Sequence, residues 1–211
     1  METIMTRNID SLKKLSCVFL FLFFLSIRSD LTKTRIVMSQ ADDITTSISW
    51  SPDGELYATG NFDGNVYIFT KDGQLIKTLQ GHTDIVTTVA WNPNINSSLL
   101  ATSGLDKTIL IWDPLSGNLL ETLSTHKDGI LSLTWTPDGT QLASGTIREN
   151  GNLRIWSIST WTSEQFTVGS IYHAAWSPDG THLAIANSGG QLEIRTGWNG
   201  KGFPQNVYMQ E

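Results

Sequence analysis

Cysteine is nearly missing from this chain: the 211 residues include one, Cys17. A disulfide framework and a cysteine-built zinc site are therefore excluded. The four histidines, His82, His126, His173 and His182, are scattered without metal-ligand spacing, so no metal site is expected. No phosphate-binding loop, activated nucleophile or pair of catalytic carboxylates stands out, and the chain reads as a non-enzyme without a cofactor. Positive charge is scarce over most of the length. Residues 1–37 hold six basic and three acidic residues, whereas the rest hold eight and seventeen, giving −6 in total. An acidic body of that kind argues against direct binding of nucleic acid.

Long apolar runs are also scarce. The one that exists, Leu15 to Ile27, closes at Arg28 after thirteen residues. As a helix it would reach about 20 Å, short of the ~30 Å of a bilayer core. A basic lead followed by such a run resembles a signal peptide, but no small-residue cleavage site follows it. Three readings stay open: a signal, an anchor, or translated upstream sequence ahead of a start at Met38. Localisation divides accordingly, with nucleus or cytoplasm favoured and a secretory or anchored fate if Leu15 to Ile27 acts as a signal or anchor.

What is present is repetition. Trp50, Trp91, Trp135 and Trp176 recur at intervals of 41, 44 and 41 residues. Phe69, Trp112, Trp156 and Arg195 form a second ladder at 43, 44 and 39. The turns Ser51-Pro-Asp-Gly54, Thr136-Pro-Asp-Gly139 and Ser177-Pro-Asp-Gly180 form a third, with Asn92-Pro93 as a looser relative. In such a turn Pro presets φ, Asp tolerates the bend and Gly takes a positive φ. Short alternating segments lie between the turns: Ile85 to Trp91 and Ile130 to Trp135 first, Leu99 to Thr102 and its equivalents second, Ile109 to Trp112 and its equivalents third. Outer strands are expected around Leu75 to Leu79, Leu119 to Leu123 and Trp161 to Thr167. The period and the Gly81-His82 and Trp112-Asp113 signatures resemble the WD40 family, whose repeats build four-stranded propeller blades.

The resemblance implies an all-β fold of about four blades behind an N-terminal apolar segment. Residues 1–37 precede the blades, repeats are assigned to 44–80, 81–124, 126–168 and 170–196, and 197–211 reads as a loose Gly-rich tail, with or without a last strand. Closed propellers carry about four to eight blades, and four of this type imply an incomplete, open arc. An uncovered blade flank is an association surface, so the expectation is either a fragment or shortened gene product, or an oligomer or partner-completed propeller.

His82, Thr102 or its neighbour Ser103, Asp106 and Trp112 include the residue types of a hydrolase triad. In WD40 proteins the equivalent four form a structural hydrogen-bond chain, and that is the role the resemblance implies. Asp63 and Asn150 fall at the Asp106 position, His126 falls at that of His82, and the fourth repeat has Gly189 and Arg195, which breaks its chain. Phe62 and Leu105 are apolar residues at turn positions, with Asp84 and Asp128 on the same edge by repeat symmetry. These four are the candidate contacts for a protein or peptide partner, although Phe62 and Leu105 could instead pack on the next blade. Asn96-Ser-Ser98 matches a glycosylation acceptor that has meaning only in a lumenal compartment. The first repeat, with Ala58-Thr-Gly60, Phe62-Asp-Gly64 and Ile68-Phe-Thr-Lys-Asp-Gly-Gln-Leu75, is similar to a blade of the transducin beta-like corepressor subunits. That similarity implies a subunit of a nuclear histone deacetylase complex, although no LisH or F-box-like counterpart accompanies it.

Overall fold

The computed structural model describes residues 44–146, 148, 152–188, 192–196 and 205–208. The apolar run at Leu15 to Ile27, with Asn150 and Gly189, lies outside them. The described residues form sixteen strands and no helix, arranged as four antiparallel four-stranded sheets. The first sheet is β1 (Thr45–Trp50), β2 (Leu56–Asn61), β3 (Asn65–Thr70) and β4 (Leu75–Gln80). The second is β5 (Val86–Trp91), β6 (Leu100–Gly104), β7 (Ile109–Asp113) and β8 (Asn118–Leu123). The third is β9 (Ile130–Trp135), β10 (Gln141–Thr146), β11 (Asn152–Ser157) and β12 (Ser163–Thr167). The fourth is β13 (Ile171–Trp176), β14 (His182–Asn187), β15 (Leu192–Thr196) and β16 (Gln205–Tyr208). Each sheet is a meander, which short loops between antiparallel neighbours permit.

One boundary differs from the sequence expectation. The fourth strand of the third sheet starts at Ser163, because Trp161 adopts φ 54 and donates its N–H to Ser157 O at 2.8 Å. That turn occupies residues which the apolar pattern had assigned to the strand. In the fourth sheet, Gln205–Tyr208 pairs with β15 in the register Glu193↔Tyr208 to Thr196↔Gln205. The tail thus contributes the last strand of this sheet, an outcome its sequence leaves open.

The Pro-Asp-Gly turns are built alike. Ser51 Oγ donates to Asp53 Oδ1 at 2.6 Å and accepts from Leu56 N, while Gly54, at φ 73, donates its N–H to Ser51 O. Thr136 and Asp138 repeat the arrangement, as do Ser177 and Asp179. These bonds hold the carboxyls of Asp53 and Asp179 below the usual carboxylate range, that of Asp179 at about 2. The looser turn has another device. Asn92 is buried and donates Nδ2–H to Gly139 O at 2.9 Å, joining the second sheet to the third.

The core lies between sheets. Ala58, Val66 and Ile68 of the first pack on Val86, Val89, Trp91 and Leu100 of the second. Ala101, Ile109 and Ile111 then pack on Ile130, Leu133, Trp135 and Leu142. Ala143, Leu153 and Ile155 pack on Ile171, Ala174, Leu183 and Ile185. Inner-strand side chains stitch the same joints: Ser47 and Ser49 accept from Val89 N and Trp91 N, each at 3.1 Å, and Ser132 accepts from Ala174 N at 2.9 Å. The inner strands follow one another as β1, β5, β9 and β13. Among the described residues β13 does not return to pack on β1, so the row of blades is not closed.

Candidate functional site

The edge of interest carries the loops that enter each first strand and the turns that join second to third strands. At its centre are His82, on the loop ahead of β5, and Asp106, in the β6–β7 turn. His82 Nδ1 lies 2.8 Å from Asp106 Oδ2, and its Nε2 lies 2.8 Å from Thr102 Oγ1. Trp112 Nε1 donates to the same Thr102 oxygen at 2.9 Å. A carboxylate only accepts, so Nδ1 carries the proton and Nε2 accepts from the Thr102 hydroxyl. The chain then runs Trp112 to Thr102 to His82 to Asp106 with every donor matched.

Asp106 anchors the surrounding backbone as well. It accepts from Thr83 N and Thr108 N, each at 3.0 Å, and from the Thr108 hydroxyl at 2.8 Å. Burial pushes its carboxyl upward, but the hydrogen bond from His82 and those from the two backbone amides outweigh burial and hold it at about 2. The side chains of His82 and Asp106 are 1% and 5% exposed, and Thr102 is buried. The third sheet repeats most of this: Trp156 Nε1 donates to Ser144 Oγ at 2.8 Å, and His126 Nε2 lies 2.7 Å from that oxygen. Burial, followed by the charge of Arg154, lowers His126 to about 4. The first sheet has no such histidine. Its Asp63 instead accepts from Asn65 N and Nδ2 and from the Tyr67 hydroxyl at 2.6 Å, in an exposed setting.

The four candidate partner contacts lie along this edge in different environments. Asp84 is exposed. Asp128 is half-buried, with Oδ1 3.6 Å from Arg148 Nε. Phe62 and Leu105 are also half-buried, and their backbones are held in: Phe62 N donates to Ile44 O and Leu105 N to Ile85 O, each at 3.0 Å. Gly64 brings the first turn onto the next loop, since a Cβ there would lie 3.0 Å from His82 O and 3.2 Å from Asp84 O. Phe62 and Asp84 are thereby carried on abutting segments.

Sequence reasoning missed two features. Arg195, at the position of the ladder tryptophans, is buried and pairs with Glu193, Nη2 to Oε1 at 2.7 Å, with its guanidinium over the Phe166 ring. The available signal was the i, i+2 spacing, which places both on one strand face. The second is an aromatic row on the first sheet, Trp50 to Tyr57 and Tyr57 to Phe69, each with ring centroids 5.1 Å apart. Among the described residues, no group of three or more His, Cys, Asp or Glu side chains is placed to hold a metal ion.

Four-stranded meanders stacked in a row, the second and third tied by a His–hydroxyl–Trp chain, define blades of the WD-repeat type. The description of the anaphase-promoting complex subunit 4 WD40 domain matches residues 34–94 and, overlapping them, 48–138, and the chain belongs to the WD40-repeat family. It is 44% identical over 72 residues to the F-box-like/WD repeat-containing protein TBL1X of Mus musculus, a match covering 34% of this chain and 13% of that protein. It is 35% identical over 121 residues to the uncharacterized WD repeat-containing protein sll1491 of Synechocystis, covering 56% of this chain and 34% of that one. COMPASS component SWD3 of Saccharomyces cerevisiae is 40% identical over 72 residues, 34% of this chain and 22% of that protein. The chain therefore spans well under two thirds of each of these relatives.

Proposed function

We propose that this chain is a non-catalytic scaffold that binds a protein or peptide partner along the edge carrying Phe62, Asp84, Leu105 and Asp128. The observation that carries this reading is the bonding of Asp106. One carboxylate ties the His82–Thr83 loop, which leads to Asp84, to the Leu105 turn, so contacts from two segments are presented in a fixed arrangement. Pre-ordered contacts bind with less entropy to lose. A hydrolytic role for His82, Thr102 and Asp106 is disfavoured, because the Thr102 oxygen already accepts from Trp112 and donates to His82 within a buried chain.

The test is capture of partners by the full chain and by Asp84→Lys and Phe62→Ala/Leu105→Ala variants, with thermal unfolding measured for each. Loss of partners by variants that keep their unfolding midpoint supports the edge. Retention of every partner overturns it. The 72-residue similarity to TBL1X favours a narrower second reading, a nuclear corepressor subunit, checked by co-purification with histone deacetylase activity. Tethering to a membrane through Leu15 to Ile27 is checked by fractionating tagged protein with and without residues 1–37.

A further inference from the structure

The two ends of the blade row carry the two halves of a joint that the chain makes three times internally. Each internal joint sets an alanine and two aliphatic residues of one sheet against the first-strand apolar face of the next. The first half of the joint is Ala58, Val66 and Ile68, then Ala101, Ile109 and Ile111, then Ala143, Leu153 and Ile155. In the fourth sheet the equivalent residues are Ala184, Leu192 and Ile194. Their predecessors are almost completely buried, but Leu192 is 42% exposed, and Ala184 and Ile194 are half-buried.

The receiving half shows the converse. Val89 and Trp91 are 3% and 9% exposed beneath the first sheet, while their equivalents Ile48 and Trp50 are 59% and 53% exposed. Trp50 rests on half-buried Tyr57, which in turn stacks on buried Phe69. The polar stitching has its counterparts too. Ser47 and Ser132 accept a backbone N–H from the next sheet, and His173, exposed, occupies that position in the fourth. Val89 and Trp91 donate across the joint, and the equivalent N–H groups of the first sheet are those of Ile48 and Trp50.

We propose that the occupant of both faces is a second copy of this chain, docked head to tail. The Ala184–Leu192–Ile194 face of each copy covers the Ile48–Trp50 face of the other. The argument is continuity: the intermolecular joint is the next repeat of an interface already built between every pair of consecutive sheets. A head-to-tail contact either closes or propagates. Here, the four sheets of the described residues make eight blades in two copies, within the roughly four to eight of closed propellers, so two joints form together around a two-fold axis. This assignment is independent of the partner-binding edge, which lies along the loops and not on the blade flanks.

Sedimentation of the full chain at micromolar concentration tests it. The expected mass is twice the 23.3 kDa of one chain. Ile48→Asp and Leu192→Asp alter exposed side chains and are checked for an unchanged unfolding midpoint. Each alone puts a buried carboxylate into both joints and should raise the dissociation constant on the order of a hundredfold or more. An equimolar mixture of the two variants retains one unaltered joint per heterodimer and should recover dimer that neither variant forms alone. A monomeric wild type, a ladder of masses above the dimer, or a dimer abolished by Ile48→Asp but untouched by Leu192→Asp would each overturn the proposal.

Discussion

Asp106→Ala removes one side chain and strands several groups at once. His82 Nδ1–H loses its acceptor, and so do the amides of Thr83 and Thr108 and the Thr108 hydroxyl. The amides and hydroxyl sit close enough to the surface to recover water, but the His82 side chain is 1% exposed. Leaving one buried polar hydrogen unpaired costs about 1–3 kcal/mol, and partial loss of the others brings the expected total to about 2–3 kcal/mol. For a domain of this size, that lowers the melting temperature by roughly 5–10 °C. Thermal unfolding by circular dichroism at fixed protein concentration reads it directly. Asp63→Ala is the internal control: the same repeat position, but exposed, with partners Asn65 and Tyr67 that water replaces, so its effect should stay below about 0.5 kcal/mol. Equal shifts for the two variants, or no shift for Asp106→Ala, would refute the assignment of Asp106 to a buried anchoring role.

Most of the blade architecture was legible because three signals repeat at one period. The tryptophan ladders mark inner and third strands, the Pro-Asp-Gly turns mark the first connection, and Ala58, Ala101, Ala143 and Ala184 mark the second strands. Outer strands were less legible for a physical reason. They pair along one edge and bury few side chains, as in β8, where Asn118, Leu119, Leu120 and Thr122 are all exposed. With little burial there is little pattern, so Ser163–Thr167 was placed early and Gln205–Tyr208 was hidden behind a Gly-rich segment. The site was half legible. The family resemblance implied the pairing of His82 with Asp106, but it could not report that Phe62 and Leu105 are drawn inward by Ile44 O and Ile85 O, since backbone bonds leave no residue signature. Nor could it report that Arg195 brings its own counter-charge. A buried charge needs a partner, and Glu193 is the one the strand places on the same face.

Three further predictions follow from single positions. Lys107 holds φ 72 in the β6–β7 turn, where the first repeat has Gly64 at φ 81; Lys107→Gly should raise stability by about 0.5–1 kcal/mol in urea unfolding. Gly60 and Gly145 let consecutive sheets close on Val86 and Ile171, whose methyls would lie 2.6 and 2.5 Å from an added Cβ; Gly145→Ala should lower stability by about 1–3 kcal/mol. The third concerns acid. His126 sits with Nε2 against the Ser144 hydroxyl, whose oxygen also accepts from Trp156, so Nε2 must stay unprotonated for the chain to hold. Burial and the Arg154 charge keep it so down to about 4, whereas an unfolded histidine titrates near ~6.5. Between those values the unfolded chain binds a proton that the folded chain refuses. Stability from this group is thus intact above about 6.5, falls as pH drops toward about 4, and levels off below, with a slope of up to ~1.4 kcal/mol per pH unit. Asp106 acts lower: its contribution is intact above the ordinary 3.8 and is lost as pH falls through about 2. The two windows barely overlap, so urea midpoints measured from pH 7 to pH 4 isolate the histidine. His126→Asn should be less stable at pH 7 yet flatter over that range, and equal slopes for variant and wild type would show that His126 is not the group refusing the proton.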